Sequence, residues 1–277
     1  MPNVTGPKTQ AREHFVEVWG QRLRVLVNTP GGPPSRTVLV LNGIGTRAEI
    51  LDRFIAELDS GVETIRIDPP GIGGSPTARI PYLLPQVAWL VEGALRALGY
   101  DRVDVVGYSW GGLVAQQLAL QARLRIDRLV LLASNTGVSS IPGSPQAMTM
   151  LMNPGLSTHV GADRAGEVFG GLARTRADEV MALLAPDLAV AGAGYYAQAA
   201  AAMTWSTLPG LWAISKPTLI ISGDDDPLVP VANARVLAAL IPKSQLHIYP
   251  GGHFDPLLEP GGIAARIARF LLEAPQG

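Results

Sequence analysis

The 277-residue sequence contains no cysteine. Disulfide staples, thiolate metal sites and a cysteine nucleophile are excluded together. Charge is sparse and balanced, with 22 Lys and Arg against 23 Asp and Glu and a formal net charge of −1. No basic stripe is available to release counterions from phosphates, so nucleic acid is not an expected partner. Met1 to Gln10 is polar and lacks an apolar h-region, so no secretory signal is read and a cytoplasmic location is expected. Internal repeats and low-complexity tails are lacking too. What remains is a chain that is 47% hydrophobic, enough for one sizeable core.

The pattern opens with a predicted hairpin, His14 to Val18 and Gln21 to Val27 about Trp19-Gly20, whose second arm alternates Arg22 and Arg24 with Leu23 and Val25. Short runs rich in Val, Ile and Leu then predict strands at Thr37–Leu41, Glu63–Ile67, Arg102–Val106, Arg128–Ala133, Thr218–Ser222 and Gln245–Tyr249. Helical spacing lies between them, at Ile50, Phe54 and Leu58, at Leu83, Val87, Leu90, Val91, Ala94 and Leu98 before Gly99, and at Ile263, Ile267, Phe270 and Leu271. Buried strands alternating with amphipathic helices predict an α/β fold, a mostly parallel sheet with helices on both faces.

One interval breaks the alternation. The roughly eighty residues from Ala133 to Thr218 are too many for a simple crossover, and they contain no Asp, Glu, Lys or Arg from Leu129 to Ala162 or from Leu188 to Ser215. The charges between, Asp163 to Asp187, predict helices around Val168 and Val180. A helical cap inserted at 135–215 between core segments 1–134 and 216–277 is the expected organisation. Leu188 to Ser215 is long enough for a membrane span, but Ala and Gly dominate it and Gln198, Thr204, Ser206 and Pro209 interrupt it, so no transmembrane segment is expected. Met148, Met150, Met152, Met203, Tyr195, Tyr196 and Trp205 are candidates to line an apolar cavity or surface.

Chemistry enters at Gly107-Tyr108-Ser109-Trp110-Gly111. This is G-x-S-x-G between a β-branched run and a helix-competent one, the context in which a serine is held on a strained turn above a sheet edge. A serine hydroxyl needs a base, and the base an orienting acid. There are only four histidines. His14 lies in the hairpin, His159 in the cap and His247 within a strand, whereas Gly251-Gly252-His253 follows the last strand on a loop free to turn an imidazole back over the sheet. For the acid, no carboxylate follows Ala133 until Asp163, but Gly223-Asp224-Asp225-Asp226-Pro227 follows the strand ending at Ser222. From the residues alone Asp225 and Asp226 are nearly equal candidates. Arg235, Val236 and Leu237 stand where a calcium loop would need a glutamate.

The order Ser109, an Asp within 224–226, then His253 is that of α/β-hydrolases. The chain resembles that superfamily over essentially its full length. It is similar in particular to the intracellular depolymerases of medium-chain-length poly(3-hydroxyalkanoate), through Asn42-Gly43-Ile44-Gly45, Pro70-Gly71-Ile72-Gly73-Gly74-Ser75, Ser109-Trp110-Gly111-Gly112, Gly194-Tyr195-Tyr196, Gly223-Asp224-Asp225-Asp226-Pro227-Leu228 and Gln245-Leu246-His247. The resemblance implies the α/β-hydrolase fold and selects Asp226 as the acid. It also implies that Ile44 supplies the second oxyanion N–H beside that of Trp110, with no metal or organic cofactor. The implied substrate is an aliphatic polyester or its oligomers, with a granule surface as a possible partner, or small esters if the enzyme is a general carboxylesterase. A non-catalytic granule-binding homologue is a further alternative.

The loop 43–48 also satisfies G-x-G-x-x-A after a strand and before a helix, with Asp68 ending the next strand where a ribose-binding acid would stand. A dinucleotide-dependent oxidoreductase is therefore a rival reading. It leaves Ser109, the 224–226 run and His253 without a role, and Thr46 with Glu49 accounts for the helix start as a capping box.

Overall fold

A left-handed two-residue turn starts the sheet: Trp19 and Gly20 take φ values of 50° and 75°, which suits the twist of the strands they join. These are β1 (Arg12–Val18) and β2 (Gln21–Asn28), paired antiparallel from Arg12↔Val27 to Val18↔Gln21. The computed structural model describes residues 11–58, 60–153, 164–188, 190 and 192–273. Met1 to Gln10, His159 and Asp163 lie outside them.

Six further strands follow: β3 (Arg36–Leu41), β4 (Val62–Ile67), β5 (Val103–Tyr108), β6 (Ile126–Leu132), β7 (Thr218–Gly223) and β8 (Ser244–Tyr249). The sheet order is β1-β2-β4-β3-β5-β6-β7-β8, antiparallel as far as β4 and parallel from β4 to β8. The chain moves outward from β3 to β4, then returns past β3 to β5. Connections therefore leave β3 and β5 in opposite directions, and the crevice at their carboxyl ends is where such sheets bind ligands.

Alternation along the strands builds one apolar layer on each face. Leu39 and Leu41 join a cluster with α2 (Leu84–Ala97) and α3 (Trp110–Gln121), while Val38 and Val40 face the opposite cluster. There Phe54 of α1 (Asp52–Glu57) and Ile263, Ile267 and Phe270 of the C-terminal helix pack. Gly99 follows α2 at φ 82°, as its position past the last periodic residue predicts.

Between β6 and β7 the described chain is helical: α4 (Pro145–Met152), α5 (Ala165–Phe169), α6 (Ala177–Leu188) and α7 (Ala193–Met203), with 3₁₀ turns at Gly171–Arg174 and Leu208–Ala213. Ala147, Val168, Phe169, Val180 and Leu184 join the same buried cluster as the sheet. Among the described residues no single helix is long and apolar enough to cross a membrane, and α6 and α7 meet at a bend of 105°. The chain then completes α8 (Val231–Leu240), α9 (Asp255–Leu258) and α10 (Gly261–Leu272).

One local expectation fails. Thr46 and Glu49 form no capping box: the Thr46 hydroxyl donates to Gly43 O at 3.0 Å, and Glu49 pairs with Arg24 at 2.6 Å. The 3₁₀ turn Ala48–Leu51 starts instead after Arg47, with no side-chain cap. A partly buried cation on β2, Arg24, takes the Glu49 carboxylate instead.

Candidate active site

Ser109 sits between β5 and α3 with φ 53° and ψ −118°, a conformation that costs a residue with a side chain about 1–3 kcal/mol. The surroundings enforce it. A Cβ on Gly107 would come within 2.6 Å of Gly111 O and Gly112 Cα, and one on Gly111 would overlap Leu41 O. Ser109 N–H donates to Leu132 O at 2.9 Å, and Ser109 O accepts the Ser134 hydroxyl at 3.0 Å.

The loop after β8 brings His253 to this turn. Its Nε2 lies 3.1 Å from Ser109 Oγ and its Nδ1 lies 2.7 Å from Asp226 Oδ2. His253 is 2% exposed. Its backbone is fixed from both sides, since His253 N–H donates to Phe169 O at 2.7 Å and His253 O accepts the Tyr108 hydroxyl at 3.0 Å. Burial pushes the Tyr108 phenol well above its ordinary pKa, so it stays a donor. Asp226 Oδ1 accepts the N–H groups of Leu228 and Val229 at 2.9 and 2.8 Å, which directs Oδ2 at the imidazole.

The other two carboxylates of the run are not simply solvated, as an acidic turn would have them. Asp224 Oδ1 accepts Gly251 N–H at 3.0 Å. Asp225 takes Arg174 at 2.7 and 2.9 Å and Gly171 N–H at 2.8 Å, and the guanidinium holds its carboxyl below the usual range. Neither Arg174 nor its pairing is visible as a pattern in the sequence. His14 and His247 lie on the two edge strands of the sheet.

Asp68 is turned inward. It is fully buried and accepts Ala48 N–H at 2.8 Å, Gly74 N–H at 2.9 Å and Arg24 Nη1 at 3.0 Å. To meet a ribose hydroxyl it would have to leave all three, so the dinucleotide reading loses its acid. Among the described residues no three of His, Asp and Glu converge as a metal site.

Two cavities meet at Ser109, sharing Ile44, Leu151 and Leu228. The first, of about 80 Å³, is enclosed by Ile50, Val168, Phe169, Leu184, Tyr195 and Phe254 and contains the His253 face. The second, of about 240 Å³, runs past Trp110, Leu113, Asn135, Met148 and Met203 to the exposed Val138 and Ile141. Of the candidate lining residues, Met150 and Tyr195 line the first and Met148 and Met203 the second. Met152 and Tyr196 are exposed, and Trp205 is buried with its indole N–H on Gln117 Oε1 at 2.7 Å. Ile44 and Trp110 both border the space in front of Ser109 Oγ.

Comparisons with known proteins agree with this architecture. The family described as the alpha/beta hydrolase fold matches residues 36–260. The chain is 38% identical over 264 residues to a poly(3-hydroxyalkanoate) depolymerase of Ectopseudomonas oleovorans, covering 94% of this chain and 93% of the relative. Among solved structures it superposes on the enol-lactonase of Burkholderia xenovorans with a TM-score of 0.77 at 22% identity, over 94% of this chain and 100% of that one. It superposes on an esterase of Exiguobacterium antarcticum with a TM-score of 0.79 at 19% identity, over 94% and 99%. By sequence and by strand order, this chain belongs to the α/β-hydrolase family.

Proposed function

We propose that the chain is a serine ester hydrolase acting on aliphatic polyester, of the medium-chain-length poly(3-hydroxyalkanoate) type, or on its oligomers. The observation that carries the chemistry is the serial contact of Ser109 Oγ, His253 and Asp226 at 3.1 and 2.7 Å. Asp226 accepts a hydrogen bond from Nδ1–H, which leaves the Nε2 lone pair facing the serine hydroxyl. As Oγ attacks the ester carbonyl carbon, its proton passes to Nε2. The negative charge that develops on the carbonyl oxygen meets the N–H groups of Ile44 and Trp110, and each such donor is worth about 10²–10³ in turnover. Collapse of the tetrahedral species expels the alcohol with the Nε2 proton. Water then attacks the acyl carbon and gives a proton to Nε2. The second tetrahedral species collapses to release the acid as Nε2 returns that proton to the departing Ser109 Oγ.

The substrate reading rests on the mostly apolar lining of the first cavity around Ser109 and His253 and on the depolymerase to which the chain is 38% identical. A second reading, a general carboxylesterase, is favoured by the small size of that cavity, about 80 Å³. Turnover on medium-chain polyester latex against a chain-length series of soluble p-nitrophenyl esters separates them. The polyester reading predicts latex turnover that Ser109→Ala lowers by about 10⁴–10⁶. Rapid hydrolysis of short esters with inert latex would favour the carboxylesterase.

A further inference from the structure

We propose that Gln198, on α7, is a positioning residue that sets the oxyanion site, an inference that rests on the hydrolase reading above. Gln198 is completely buried within the uncharged stretch. Its Oε1 accepts Gly45 N–H at 2.6 Å and its backbone O accepts the Trp110 indole N–H at 3.1 Å. Gly45 directly follows Ile44, and Trp110 directly follows Ser109. One residue of the segment between β6 and β7 therefore binds the loop backbone next to Ile44 and the side chain of the residue that follows Ser109.

The geometry of the loop explains why such a hold matters. A trans peptide is planar, with its C=O and N–H pointing oppositely. Gly43 O accepts the Thr46 hydroxyl at 3.0 Å, so the Ile44 N–H of the same peptide points away from Thr46. The next peptide, Ile44–Gly45, is fixed by Gln198 alone among the described hydrogen bonds of its N–H. Gly45 has φ 69°, and a Cβ there would overlap the ring of Tyr195, whose own hydroxyl donates to Leu151 O at 2.6 Å. The loop thus lies against α7, and two adjacent peptide planes are pinned in sequence.

The amide at this place meets one donor, Gly45 N–H, while leaving its own unmet. Gln198 Nε2 is buried with no hydrogen-bond partner among the described residues. An unmet donor of that kind costs free energy that an apolar side chain of the same size would not.

The test compares Gln198→Met, which keeps the volume and removes the acceptor, with Gln198→Glu, which keeps an acceptor oxygen. kcat and KM on a soluble p-nitrophenyl ester, affinity for an alkylboronic acid that mimics the tetrahedral adduct, and Tm are measured together. Gln198→Met is expected to lower kcat by about 10–100-fold, up to the loss of one oxyanion donor, with KM within about threefold. Boronate affinity should fall by a similar factor, and Gln198→Glu should recover part of both. A folded Gln198→Met enzyme with kcat within about twofold of wild type, or a loss confined to KM or Tm, overturns the proposal, as does a Glu variant no better than Met. Should Gln198→Met fail to fold, Trp110→Phe cuts the other tether and keeps the backbone donor; unchanged kcat and boronate affinity there overturn it equally. Ser109→Ala separates the two levels. If that variant still turns over, the hydrolase reading has failed; if it is inert while the Gln198 and Trp110 variants are intact, only the positioning role has.

Discussion

Asp225 faces Arg174 at 2.7 Å, while Asp226, the next residue, faces His253 at 2.7 Å. Adjacent carboxylates on one turn thus point to a cation on one side and to an imidazole on the other, and this division makes their roles separable by mutation. Asp226→Asn is expected to lower kcat by about 10⁴ with little change in KM, because an amide opposite Nδ1 favours the wrong tautomer. Asp225→Asn removes a pair that is about half exposed, so it should change kcat by less than about tenfold and Tm only slightly. Steady-state kinetics on one soluble ester, with both variants side by side, decides between them.

Arg24 is the cation of a network that includes Glu13, Glu49 and the fully buried Asp68. Asp68 in turn holds Ala48 N–H and Gly74 N–H. Removing the guanidinium in Arg24→Leu leaves a buried carboxylate without its counter-charge, a loss of about 3–5 kcal/mol. Thermal or urea unfolding should show that drop, and adding Asp68→Asn should restore part of it. A single variant as stable as wild type would mean that the network contributes nothing.

Burial beside β3 pushes the Asp104 carboxyl up to about 6, against the pull of Arg36 at 3.6 Å. Below that pKa the folded chain keeps a proton that the unfolded chain has already lost above its ordinary value near 3.8. Stability therefore falls as pH rises through this window, and the deficit persists above it. Asp104→Asn should raise stability at pH 8 by about 1–2 kcal/mol, with the gain disappearing toward pH 4. Urea melts at both values measure it, and a variant equally less stable at both would contradict the sign.

Local patterns in the sequence carry most of the framework. Alternation of apolar runs places the strands to within a residue or two, and β5 differs because it runs on through Gly107 to Tyr108. Gly107 pairs with Leu41 on one side and Leu131 on the other, so neighbours in the sheet override its weak strand propensity. Ser109 and His253 are legible because each stands just past a strand end with distinctive neighbours, whereas the residues place the acid only within 224–226 and the family resemblance is what selects Asp226. Arg174 and Gln198 are not legible, because their partners lie 51 and 153 residues away along the chain. A glutamine in an alanine-rich helix reads as an interruption until the fold places Gly45 beneath it. The Thr46 and Glu49 pair misleads for the same reason: its competitor, Arg24, lies on another strand.

The most direct test of the account is covalent labelling with a fluorophosphonate, followed by mass mapping of the adduct. The account predicts one adduct, on Ser109, with labelling lost in Ser109→Ala and slowed by about 10³ or more in His253→Ala. Labelling at another residue, or undiminished labelling without His253, would contradict it.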